Sequence, residues 1–355
     1  MERTRRLDAD DICPLRDGLS MPAEWEPHER TWMQWPTRQE PWGPAEALLR
    51  ARVAYARVAR AISGFEKVTM AVRPEHAQEA QFALGKGVSL FEAEIDDGWA
   101  RDSGPVFVAG GEGDVAGVHR RFNAWGNKYH GYEGDAAFGG RVISALGMRK
   151  YDGPMILEGG SIAVDGRGSL MTTEQCLLNP NRNPTLSQQQ IEERLALYLG
   201  AAKIVWLGDG LHDDETDGHI DNLAAFAPGG KVLVHSAPRT DGLNWRISQD
   251  AIARLKSARN AQGDPFDIVE LPQPEIIRER GDGRRLDATY VNFYVANHGI
   301  VMPSFDDPMD AKAREILERA FPEHRVVQVN ALDIVEGGGG IHCITQQQPA
   351  GRPLT

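Results

Sequence analysis

One supersecondary unit recurs along this 355-residue chain. Two short β-prone runs flank a glycine turn. An amphipathic helix follows, and then one further β-rich run. Residues 104–118 (GPVFVAGGEGDVAGV) read as the first such hairpin, and residues 160–172 (GSIAVDGRGSLMT) as the second, with Asp165-Gly166 as its turn. Residues 219–236 turn at Pro228-Gly229-Gly230, and residues 290–304 turn near Asn297-His298-Gly299. The starts lie 56, 59 and 71 residues apart. Helical spacing follows over 187–199, 248–258 and 311–320, and short strands over 203–207, 267–271 and 325–329. An earlier helix and strand, 45–62 and 67–72, lack a local hairpin. Theirs is expected to be split between residues 30–35 and 341–347, so that the two ends of the chain complete one unit. No unit of this size buries its own face, so the expectation is a ring of about five with a propeller-like period, and an ordinary α+β chain with coincidental hairpins is the alternative. The chain then forms one domain over residues 1–355, with 1–20 and 350–355 as flexible ends.

Composition narrows the function. The net charge is −12 and there is no basic patch, which argues against a nucleic-acid partner and fits a cationic small substrate. No apolar run has membrane-spanning length, and the charged start MERTRRLDADD lacks a secretory signal's apolar stretch, so a cytoplasmic protein is expected. Three scattered cysteines make no disulfide framework, and neither CxxC nor HExxH suggests zinc. Neither metal nor cofactor is expected.

The chemistry-bearing residues sit at hairpin entrances. Asp102 precedes the first, Glu158 the second, His219 and Asp221 the third, and Cys343 the last. A closed ring would bring these ends together. Cys343 with His219 makes a nucleophile and a general acid/base. Asp102 and Asp221 are unhelpful companions for a thiolate. At about 5 Å and an effective dielectric of ~20, each costs it roughly 3 kcal/mol. A bound cation would cancel this, and a guanidinium suits carboxylates best, being planar, always charged and fork-shaped. The expected chemistry is thiolate attack on the guanidinium carbon, proton donation by His219 to departing ammonia, and hydrolysis of a covalent thiouronium. Glu158 is expected to orient His219.

The segments DDGWARDSGP, FNAWG, LEGGSIAVDGRGS, DETDGHIDN and IHCITQQ, with the early MPAEWEPHERTWMQWP, resemble agmatine deiminases of the guanidine-modifying pentein superfamily over residues 21–349. The resemblance implies a five-bladed α/β propeller that hydrolyses agmatine to N-carbamoylputrescine and ammonia, a step towards putrescine. It implies that Asp102 and Asp221 grip the guanidinium, that Glu158 and His219 sit beside it, that Cys343 attacks, and that Trp99 lies against the substrate. It also suggests a homo-oligomer. One position departs: Gly340 stands where the family usually has asparagine, which places Gly340 among the pocket-shaping residues.

Other readings stay open at this stage. Cys13 and Cys176 are most simply small buried apolar groups. His219 could ligate a metal with His212, Asp214 or Asp217. His342 could compete as the base, although strand alternation would point it away from Cys343. The same alternation turns Arg101 away from Asp102, into a structural ion pair. Trp99 and Trp125 are core residues or stacking surfaces for a guanidinium or alkyl chain. The substrate could instead be arginine, peptidylarginine or another guanidino compound, and a guanidinium-binding protein without turnover is the alternative of another class.

Overall fold

The computed structural model describes residues 12–355. Five separate sheets share one core arrangement: two antiparallel strands, then a third strand parallel to the second. Val106–Gly110 and Asp114–Arg121 pair antiparallel, and Lys150–Ile156 adds in parallel. Ala163–Val164, Ser169–Thr173 and Lys203–Leu207 repeat this, as do Ala224–Ala227, Lys231–Ser236 and Asp267–Pro272. Tyr294–Ala296, Gly299–Ser304 and Arg325–Asn330 make the fourth. In the fifth, Thr345–Pro349 pairs antiparallel with His28–Gln34, which lies parallel to Val68–Val72. The two ends of the chain do share one sheet.

A parallel neighbour requires a crossover, and a helix supplies each one. These are Glu133–Ala145, Gln188–Leu199, Gly242–Ser257, Asp310–Ala320 and Ala45–Ile62. Ser187 opens Gln188–Leu199 with a capping box, its side chain accepting from Gln190 N while Gln190 returns the bond, and Gly200 closes it at φ 75°. The helix expected over 248–258 begins earlier, at Gly242. Glu133–Ala145 had no clear sequence signal, because three glycines interrupt its periodicity. Gly139 has a packing reason: a Cβ there would stand 3.1 Å from the Pro105 backbone nitrogen and 3.2 Å from the Gly104 carbonyl carbon.

The ends are less free than expected. Leu19–Ser20 pairs with Val106–Gly110, and Arg352–Pro353 runs parallel to Asp114–Arg121. Both cover edges that would otherwise be unpaired. The expectation for residues 1–11 lies outside the described residues. Among those described, no helix is long and apolar enough to cross a membrane.

Candidate active site

Every hairpin delivers a polar residue to the same place just before its first strand. Asp102 lies on the short helix Ala100–Ser103. Glu158 precedes the 3-10 turn Gly159–Ser161, and His219 precedes the turn Ile220–Asn222 that carries Asp221. Cys343 lies in the turn leading into Thr345–Pro349. All five of these side chains are buried.

Hydrogen bonds run from one entrance to the next. Gly160 N–H donates to Asp102 Oδ1 at 2.9 Å. Arg182 joins the second and third, donating Nε–H to Glu158 Oε1 at 2.7 Å and Nη2–H to Thr216 O at 2.7 Å. Asn292 Nδ2 donates to Asn222 Oδ1 at 2.8 Å, and His342 N–H to Asn292 Oδ1 at 2.8 Å. Arg101 N–H donates to Cys343 O at 3.1 Å, returning to the start.

Three polar atoms converge over Gly160. A Cβ there would stand 2.5 Å from His219 Nδ1, 2.8 Å from Asp221 Oδ2 and 3.1 Å from Asp102 Oδ1. The Cys343 sulfur is 3.5 Å from that same Asp221 oxygen. His219 Nδ1 is 3.8 Å from Asp102 Oδ2, and neither ring nitrogen has a hydrogen-bond partner. Substituting Gly160 by Ala should push this constellation apart and lower turnover about 100-fold, the cost of roughly 1 Å of misplacement. Steady-state ammonia release measures it, with a melting curve to check the fold.

Charge follows geometry. Burial pushes the Cys343 thiol well up, and Asp221 and Asp102 push it the same way. Burial also raises Asp102; Asp221 and Glu158 add to that, while His219 and the Trp125 hydrogen bond oppose it. Trp125 Nε1–H donates to Asp102 Oδ2 at 2.8 Å, so Trp125 orients an acid as well as presenting a ring. A narrow cavity leads to the sulfur. Trp99, Asp102, Trp125, Tyr129, Glu215 and Cys343 line it, and residues 337–339 give it a bare backbone wall. Side chains cannot be added to that wall. A Cβ at Gly337 would lie 2.4 Å from the Trp42 ring, and one at Gly339 would lie 2.6 Å from the Trp99 ring. Trp42 stacks on Trp99 with ring centroids 5.5 Å apart, fixing the indole shelf. A larger, open cleft of about 830 Å³ lies elsewhere, beside Arg246 and Arg285, and shares no residue with this one.

Several expectations need correction. Residues 337–339 face the cavity, and Gly340 packs on Asn292. Glu158 does not hydrogen-bond His219. One of its oxygens is taken by Arg182, and the other is unpartnered within a 4.8 Å cluster of Glu158, Cys176 and His219. Strand alternation does not apply at His342 or Arg101, since one lies in a turn and the other on a helix. His342 instead bridges two acids, with Nδ1 2.9 Å from Asp221 Oδ2 and Nε2 2.8 Å from Glu24 Oε1. Burial disfavours the imidazolium, and so does Arg101, but Glu24 and Asp221 outweigh them and raise His342. Arg101 does pair away from Asp102, with Glu24 at 3.3 Å.

Sequence reasoning missed Arg182, Asn292 and Glu24. Asn292 had a usable signal, since it occupies in the fourth hairpin the place that Asp102, Glu158, Asp221 and Cys343 occupy in the others.

Similarity to known proteins shows the family. Residues 20–349 match the family of Porphyromonas-type peptidyl-arginine deiminases. An agmatine deiminase of Pseudomonas aeruginosa is 45% identical over 370 aligned positions, covering 96% of this chain and 98% of the relative. The structure of an Enterococcus faecalis agmatine deiminase superposes with a TM-score of 0.92 at 34% identity, covering 96% of this chain and 98% of the other. A substrate-bound C. jejuni agmatine deiminase gives 0.85 at 30% identity, covering 94% and 97%. The shared sequence, the shared α/β fold and the convergent polar residues place this chain in the Porphyromonas-type peptidyl-arginine deiminase family.

Proposed function

We propose that this protein hydrolyses the guanidinium of agmatine to N-carbamoylputrescine and ammonia, with Cys343 as nucleophile. The observation that carries this reading is the Cys343 sulfur 3.5 Å from Asp221, in a buried site whose other acids are Asp102 and Glu158. Arg182 offsets Glu158 and His342 holds Asp221 Oδ2, but Asp221 Oδ1 is buried without a hydrogen-bond partner, which leaves room for a substrate cation. In this reading Asp102 and Asp221 clamp the guanidinium, and its charge makes the thiolate affordable. The thiol proton leaves to solvent as the cation enters. Sulfur then bonds to the guanidinium carbon. His219 as imidazolium gives a proton to one amino group, the C–N bond breaks, and ammonia departs. The cationic thiouronium is attacked by water, whose proton goes to the now-neutral His219. Collapse expels the thiolate and frees the ureido product, the remaining hydroxyl proton passing to solvent. Replacing His219 by Asn should lower kcat by about 10²- to 10⁴-fold, the usual size of a lost acid/base group, in a steady-state ammonia assay.

The cavity mouth favours a substrate tail that is not anionic. Glu215 lines it, and Arg280 and Arg284 are both tied to that carboxylate. An α-carboxylate would meet Glu215 rather than an uncommitted cation. Ammonia release should therefore favour agmatine over arginine by at least ~100-fold in kcat/KM. Equal rates, or a preference for arginine, would refute the assignment.

The five sheets are proposed to be blades of one pseudo-fivefold ring in a single catalytic domain. The hydrogen-bond circuit through all five entrances supports this reading. Closure of a ring explains why residues so distant in sequence meet. A cytoplasmic, metal-free enzyme acting in polyamine synthesis, and assembling as a homo-oligomer, completes the proposal.

A further inference from the structure

Four hairpin entrances supply groups already assigned, and the fourth in chain order supplies Asn292. This residue is 1% exposed and lies two positions before its strand Tyr294–Ala296. Its amide orientation is fixed by its partners. Oδ1 accepts from His342 N at 2.8 Å and from Cys343 N at 3.4 Å. Nδ2 donates to Asn222 Oδ1 at 2.8 Å and approaches Asp221 O at 3.3 Å. A flipped amide would set two acceptors against each other and two donors likewise. The remaining contact of Nδ2 is the Cys343 sulfur at 3.2 Å.

The departure at position 340 belongs to the same feature. A Cβ on Gly340 would stand 2.4 Å from Asn292 Oδ1 and 2.7 Å from its Cγ. Any side chain at 340 would displace the amide. The Gly340 backbone also favours the thiolate.

We propose that Asn292, seated by the absence of a side chain at Gly340, is a catalytic residue that hydrogen-bonds the Cys343 thiolate and aims it at the guanidinium carbon. The inference rests on the reading of Cys343 as nucleophile. A sulfur among acids needs donors that add no charge. A further cation there would compete with the substrate for Asp102 and for the Asp221 oxygen that His342 does not hold, whereas an amide stabilises the thiolate and leaves those groups to the substrate. It also holds sulfur in place when the covalent intermediate collapses and thiolate is expelled. The Asn292 amide, 3.2 Å from the sulfur, acts against burial and the acids, which push the thiol up.

The test compares wild type with Asn292→Asp, Asn292→Ser and Gly340→Ala. Thiolate absorbance is titrated in the free proteins, with Cys343→Ala as blank, and kcat and KM are measured by ammonia release from agmatine. The expected result is that Cys343 ionises about one to two pH units higher in Asn292→Asp. Its kcat should fall about 10- to 100-fold, the worth of one hydrogen bond to a charged group, with KM changed less than about threefold. Asn292→Ser and Gly340→Ala should shift both readouts in the same direction by less. Should Asn292→Asp fail to fold, the other two variants carry the test through the thiol titration. An unchanged thiol titration in folded variants overturns the proposal, whether or not turnover falls. Wild type that releases no ammonia from agmatine would overturn the functional reading instead, and the titration, which needs no substrate, would still decide the contact between Asn292 and sulfur.

Discussion

Alanine at position 343 is expected to lower kcat for ammonia release from agmatine by at least ~10⁴-fold while leaving binding of the guanidinium nearly intact. Without sulfur, water must attack a resonance-stabilised cation directly, and the site holds no other competent nucleophile among the described residues. Cys176 lies within 4.8 Å of Glu158 and His219, but burial and then Glu158 push its thiol well up, and it does not line the cavity that leads to Cys343. The acids that hold the substrate are untouched by the substitution. Isothermal titration with agmatine should therefore still give a dissociation constant within a few-fold of the wild-type KM. Loss of binding together with turnover would mean that Cys343 organises the pocket rather than reacting.

Asparagine at position 221 should separate two properties that usually move together. Removing this carboxylate takes away the negative charge nearest to the sulfur, so the free thiol should ionise at lower pH than in wild type. The same change removes one arm of the guanidinium clamp and leaves His342 with a weaker partner. Breaking a buried, hydrogen-bonded charge pair costs about 3–5 kcal/mol, so kcat/KM should fall by roughly 10²- to 10³-fold. A more reactive cysteine in a poorer enzyme is the signature. If the thiol ionised higher and turnover fell, Asp221 would be acting as the thiol's base and not as the substrate's counter-charge.

Much of this was legible in the sequence because the pieces are local. The glycine turns located four hairpins, the following amphipathic helices located three of their four crossovers, and the acid, imidazole and thiol groups at the entrances marked the site. What escaped was set by contacts between units. Arg182 lies in a loop after the second hairpin, and nothing in its neighbourhood announces that it binds Glu158. Glu24 sits far from His342 in sequence, yet the two are 2.8 Å apart because the N-terminal segment packs against the last turn. The helix Glu133–Ala145 was hidden by glycines whose purpose is close packing against another segment's backbone. The orientation of His342 could not be inferred from alternation, because the chain there turns instead of extending. The run Gly337–Gly340 before Ile341 carries no side chains of its own. Only the structure reveals that the approaching groups are Trp42, Glu215, Trp99 and Asn292.

The account depends on a positive substrate making a thiolate tolerable beside two acids. Titrating the ultraviolet thiolate signal of Cys343 with and without a saturating guanidinium that the enzyme does not turn over measures this most directly, with Cys343→Ala as the blank. The free enzyme should ionise well above the ordinary cysteine range, as burial, Asp221 and Asp102 dictate. The liganded enzyme should ionise at least ~2 pH units lower, the size of one cancelled carboxylate at this distance. Superimposable titrations would contradict the account.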